Sequence, residues 1–208
     1  PTDKRNIIRE NIRTAFQDTS ILKQDDSEFA LQMPSVYRKE TFEFTATFDV
    51  HLKPSSTISY ESQSARIEEA KILTLQGEQV NNLICGEIYR YVYSVKFVGD
   101  ANNVRFAMLI KTISGVEIGG AQSSLSLENA IPYVEAGQCF RVEFRFEPNL
   151  NAGVYFLNAG VMGQAGQHDG YLHRLIDVAM FRIVPNFGSY ATAIVNFGCV
   201  PKFELIEA

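Results

Sequence analysis

From Thr41 to Val50 apolar and polar residues alternate with a period of two, Phe42, Phe44, Ala46, Phe48 and Val50 against Thr41, Glu43, Thr45, Thr47 and Asp49. That is the pattern of a half-buried strand. It recurs in Ile88 to Phe97, where Tyr89, Tyr91, Tyr93, Val95 and Phe97 share one face and Arg90, Val92, Ser94 and Lys96 the other. Arg141 to Phe146 repeats it, with Val142, Phe144 and Phe146 opposite Arg141, Glu143 and Arg145. Turn signals punctuate the chain at Gly77-Glu78, Gly99-Asp100, Ser114-Gly115, Ala136-Gly137, Asn151 to Gly153, Gly163 to Gly170 and Asn186 to Gly188. Many short strands with frequent turns predict an all-β, antiparallel two-sheet sandwich over residues 41–208. The strands do not alternate with long helices, which disfavours a parallel α/β architecture.

The chain opens differently. Ile7, Ile8, Ile12, Ala15 and Phe16 fall at helical spacing with Lys4, Arg5, Arg9, Glu10 and Arg13 between them, which predicts a short amphipathic helix over Lys4–Phe16. Asp18 to Glu28 reads as a polar linker, and its Asp25–Glu28 run as a solvated acidic loop, since no EF-hand pattern follows. The domain plan is therefore a helix and linker in 1–40 and a β-sandwich in 41–208. The first residues, Pro-Thr-Asp rather than Met, suggest a piece of a longer protein.

A chain of 208 residues can bury roughly 70% of its unfolded surface, so a real core is expected. Its 15 Phe and 9 Tyr, without Trp, favour strands. The net charge of −5 gives no basic footprint, so nucleic acid is not expected as a partner. No apolar run is long enough to span a bilayer and no leader pattern opens the chain, which predicts a soluble, cytoplasmic protein. Cys85, Cys139 and Cys199 lie far apart with no C-x-x-C spacing and are expected to be free thiols.

The common nucleotide, nucleophile-elbow and zincin motifs are absent from the sequence. A glycosidase needs two carboxyl groups about 5 to 9.5 Å apart. Glu143 and Glu147 would share a strand face at about 13 Å, which is too far. His168, Asp169 and His173 match no metal-ligand spacing, and histidines bonded to backbone are the simpler reading. No metal, cofactor or catalytic residue is expected.

Four segments together carry a resemblance: Ala65 to Gly77, the Gly86-Glu87-led strand, Phe146 to Tyr155, and Tyr171-Leu172-His173-Arg174-Leu175-Ile176-Asp177 running into Phe181 to Val184. In order and spacing they resemble the C-terminal domain of Wzt, the ATP-binding subunit of O-antigen polysaccharide ABC transporters. The resemblance covers about two-thirds of the chain. It implies an immunoglobulin-like β-sandwich that recognises completed O-polysaccharide before export and makes or breaks no covalent bond. It also implies a homodimer that exchanges a C-terminal strand, here Ala191 to Ile206, a parent protein with an ATPase half and a permease partner, and a location peripheral to the inner membrane through that complex.

A sugar offers hydroxyls and weakly polar C–H faces, so its site needs planar hydrogen-bonding groups beside a ring. Two regions supply them. One is the polar strand face Arg90, Lys96, Arg141, Glu143 and Arg145; the other is the stretch Gly163 to Tyr171, a site loop or a plain long hairpin, with Gln164, Gln167, His168, Asp169 and Tyr171, continued by His173. The Tyr89-Tyr91-Tyr93 ladder belongs to the core by register. A structural or adhesive sandwich that binds protein partners is the alternative, and a glycoside hydrolase the more distant one.

Overall fold

A computed structural model describes residues 45–185 and 189–203. Ten strands make up this region: β1 Ile58–Ser59, β2 Ala65–Leu73, β3 Asn82–Leu83, β4 Tyr89–Phe97, β5 Ala101–Thr112, β6 Glu117–Gln122, β7 Ile131–Val134, β8 Cys139–Phe146, β9 Gly153–Ala165 and β10 His168–Ile183. A single 3₁₀ turn, Leu127–Asn129, is the helical element among the described residues. The helix expected at Lys4–Phe16 and the linker after it lie outside them.

The strands form two layers, as the alternating pattern predicts. The larger sheet runs β1-β10-β9-β5-β6, with β3 beside β1 on the same edge of β10 and β7 beside β6 on the same edge of β5; the smaller runs β2-β4-β8. All pairings are antiparallel except the short β3–β10 contact. The fold is an immunoglobulin-like all-β sandwich.

The core forms where the inward faces meet. Tyr89, Tyr91, Tyr93, Val95 and Phe97 of β4 point between the layers toward Val104, Phe106, Leu157, Val161 and Phe181, all buried. The Tyr93 hydroxyl crosses the whole interlayer and donates a shared hydrogen bond to the carbonyls of Ala107 and Gly160, at 3.0 and 3.1 Å. The Tyr89 hydroxyl accepts from the Ile84 N–H at 2.9 Å. These bonds let phenols occupy an apolar interior without stranding their polar ends.

One expectation is corrected. The strand read over 41–50 is not one in its described part: in residues 45–50 Thr47 makes an isolated bridge to Asn82, and Phe48 and Val50 are exposed. The buried Asn81 side chain accepts from the Asp49 N–H at 2.7 Å and donates to the Asp49 and Leu52 carbonyls. Those bonds hold the segment as a loop and override its period-two pattern. The 163–171 stretch, read from sequence as a site loop or a plain long hairpin, is the tip of the β9–β10 hairpin. Ala165 and His168 pair directly, and Gly166 adopts φ +59, the left-handed conformation that a two-residue turn needs.

Candidate functional site

The outward face of the larger sheet carries a groove of about 340 Å³. Strand register places its floor. Arg174 on β10, Gly160 on β9, Ala107 on β5 and Gln122 on β6 lie in one row across four strands, and Asn158, Leu109 and Gly120 lie in the next. Small residues make the depression. A Cβ on Gly120 would stand 2.5 Å from the Met108 carbonyl oxygen, so no larger residue fits there without the strands shifting.

Tyr171 and Arg174 form one wall. The Tyr171 ring lies against Gly160, and the Arg174 guanidinium sits 4.9 Å from the centre of that ring and 5.9 Å from the centre of the Tyr60 ring. Both rings are about half exposed, at 41% and 51%. A guanidinium within about 6 Å of two ring centres gains cation–π attraction and loses little freedom when it binds. Gln122 and Glu117 stand at the opposite, β6, side.

A polar network supports the floor. Asp177 sits at a bulge in β10 with φ +55, its N–H donating to the Asn158 Oδ1 at 2.9 Å and its carboxylate 2.7 Å from the Lys111 ammonium. Ser56 donates to the same carboxylate and Thr57 to the Asp177 carbonyl. Because Asn158 Oδ1 is an acceptor here, the amide nitrogen is the donor that this groove-lining residue has left to offer. The site thus combines a flat ring, a planar cation, two amides and a carboxylate, the set that hydroxyl-rich ligands require. Glu117 is the one carboxylate among the groove's lining residues, whereas glycoside hydrolysis uses a pair.

The residues singled out from sequence fall in three places. Arg90, Lys96, Arg141, Glu143 and Arg145 share the outward face of the smaller sheet, on the far side of the sandwich from the groove, and β4 and β8 are neighbours there. Arg90 pairs in register with Arg145, and Glu143 accepts from both, at 3.0 and 3.3 Å. Partial burial of Glu143 works to raise its pKa, but Arg145 and Arg90 outweigh that and hold it below the usual carboxylate value. The Nε–H groups of both arginines are therefore spent on Glu143. At the exposed hairpin tip stand Gln164, Gln167, His168 and Asp169, with His168 bonded to the Tyr171 carbonyl at 3.2 Å.

Tyr171 alone of the selected residues lines the groove. His173 is buried, 5% exposed, where its Nδ1 accepts from the Ile67 N–H at 3.0 Å and its Nε2 lies 3.2 Å from Ser59 Oγ. It faces the smaller sheet rather than a surface. The wall residue Arg174, the Tyr60 ring near it and the floor of Ala107, Gly120 and Gly160 were not singled out. Arg174 stands inside the motif at 171–177, but only the register of four strands reveals the small-residue floor.

Among the described residues no group of His, Cys, Asp or Glu is arranged to hold a metal ion. Cys85, Cys139 and Cys199 are free thiols. No described helix is long and apolar enough to cross a membrane.

Comparison with known proteins gives a consistent picture. The family model of the Wzt C-terminal domain matches residues 56–197. A solved structure described as the crystal structure of the C-terminal domain of wzt superposes with a TM-score of 0.62 at 20% identity, covering 74% of this chain and 92% of the other. A structural-genomics target, SoR45, aligns with a TM-score of 0.29 at 12% identity over 72% of this chain and 99% of its own, too low to carry a structural argument. No curated protein sequence matches the chain.

Proposed function

The chain belongs to the Wzt C-terminal domain family, a non-catalytic part of the O-antigen ABC transporter, and on that premise we propose that it recognises the completed O-polysaccharide in the groove of the larger sheet. The observation that carries this reading is the wall built from Tyr171 and Arg174 above the Gly160–Ala107 floor. A pyranose ring lays its C–H face on Tyr171, while Arg174, Asn158, Gln122 and Glu117 bond its hydroxyls. Binding is reversible, and no bond of the glycan is broken.

The same reading places the domain in a homodimer, beside a permease and an ATPase half of the parent protein, on the cytoplasmic side of the inner membrane. Support for the dimer comes from the chain after β10. Residues 189–203 form no strand; Val195 bridges Leu150, and Asn151 and Asn196 bond backbone across that contact. Tyr190, Phe197 and Val200 remain 69%, 84% and 81% exposed, apolar surface that a second copy would cover. Titration of purified O-polysaccharides into the domain and its Tyr171→Ala variant tests the binding reading. Saturable binding that the variant loses supports it, and no binding across a panel of O-polysaccharides contradicts it.

A further inference from the structure

The cations on the larger sheet are not treated alike. Lys111 lies 2.7 Å from Asp177, and Arg182 lies 3.9 Å from Asp49. Arg174 makes no ion pair among the described residues, although it is half-buried in a chain with 24 acidic and 19 basic side chains. Arg105 is likewise unpaired among them. It stands across Met162 from Tyr171 on the same face, and its Nε is buried with no hydrogen-bond partner. Partly buried cations without counter-charges are costly, and this sheet pairs its other two cations yet leaves these two without a counter-charge.

The neighbouring groups agree. Asn158, one row from Arg174 in the groove, has its oxygen taken by the Asp177 N–H and keeps its amide nitrogen as a donor. Glu117 does not neutralise the corner. It stands on β6, three strand spacings or about 14 Å from Arg174 on β10. The groove thus carries an unpaired cation beside Tyr171, with Asp169 exposed out at the hairpin tip, and supplies acceptors at its β6 end.

Resting on the glycan reading above, we propose that the Tyr171 end of the groove seats an acidic group of the bound polysaccharide, a carboxylate or phosphate oxyanion held by Arg174 and Asn158. Arg105 adds long-range attraction from the adjacent row. The remainder of the groove takes neutral hydroxyls.

The test uses matched pairs of oligosaccharides: one containing a hexuronic acid and its carboxyl-reduced counterpart, and one bearing a phosphate and its dephosphorylated form. Each is titrated into the parent chain and into Arg174→Gln at low and high salt, with melting temperatures measured in parallel. The parent should bind the acidic member of one pair at least about tenfold more tightly. High salt should shrink that gap, a readout that needs no variant, and Arg174→Gln should close it by weakening the acidic member at least about tenfold more than the neutral one. The pair that shows the gap identifies the anion. Equal binding of acidic and neutral members to the parent overturns the acidic seat and leaves glycan recognition standing. Failure of every oligosaccharide and polysaccharide to bind overturns both.

Discussion

Tyr171 on β10 lies so close over Gly160 on β9 that a Cβ built on Gly160 would stand 3.0 Å from the ring's Cε1 atom. The absence of one carbon at position 160 therefore sets the position of the ring and the depth of the groove beside it. Gly160→Ala should displace the ring by a few tenths of an ångström and raise the floor. Stability should change by less than about 1 kcal/mol, because the φ of Gly160 is not in the left-handed region. Affinity for polysaccharide should fall roughly fivefold, about the worth of one aromatic contact. Isothermal titration and thermal melting of the variant check both halves.

Two tyrosines of one strand should respond in opposite ways to loss of a hydroxyl. Tyr93 donates to carbonyls of the facing sheet, whereas the Tyr91 hydroxyl is buried without a hydrogen-bond partner among the described residues. Burial pushes the pKa of both phenols up, so both stay neutral. Tyr93→Phe should cost about 1 kcal/mol, and Tyr91→Phe should be neutral or slightly stabilising, since it removes a polar group that was desolvated without return. Denaturant unfolding of the two variants measures the contrast.

These contrasts mark what the sequence could and could not convey. The inward set of β4 and the polar face of β8 follow from period-two alternation, because each strand has one wet and one dry side. The period-two pattern misled over residues 45–50 because Asn81, some thirty residues on, ties Asp49 and Leu52 into a loop. The groove was hidden for a different reason. Gly120, Ala107 and Gly160 carry no chemical signal of their own, and they become a floor only when β6, β5 and β9 align. His173 looked like surface chemistry, yet the bulge between Tyr171 and His173 turns it inward.

That inward histidine makes stability depend on pH. His173 Nδ1 accepts the Ile67 N–H, so the folded state needs the neutral ring with its proton on Nε2, toward Ser59. Desolvation, then the charge of Arg66, lower its pKa below the ordinary 6.5. The unfolded chain therefore binds a proton that the folded chain refuses. The contribution is fully present above about pH 6.5 and is lost progressively as pH falls below that value, down to the folded pKa. Unfolding free energies measured from pH 7.5 to pH 5 should show the decline, and His173→Gln should flatten it.

The apolar residues after β10 predict self-association. The chain should be a dimer by light scattering at micromolar concentration, and ending it after Ser189 should give a monomer in which the core, complete by Ile183, remains folded. A monomeric parent would count against strand exchange.

The two outward faces of the sandwich compete as the polysaccharide site, and one experiment separates them. Purified O-polysaccharide is titrated into Tyr171→Ala, Arg174→Ala, Arg90→Ala and Arg145→Ala variants whose melting temperatures match the parent. Recognition in the groove predicts that the first two lose roughly tenfold or more in affinity, about 1.5 to 3 kcal/mol for a charge-assisted bond, and that the last two bind like the parent. Unchanged binding by Tyr171→Ala and Arg174→Ala together with loss in Arg90→Ala and Arg145→Ala would contradict the groove and move the site to the smaller sheet.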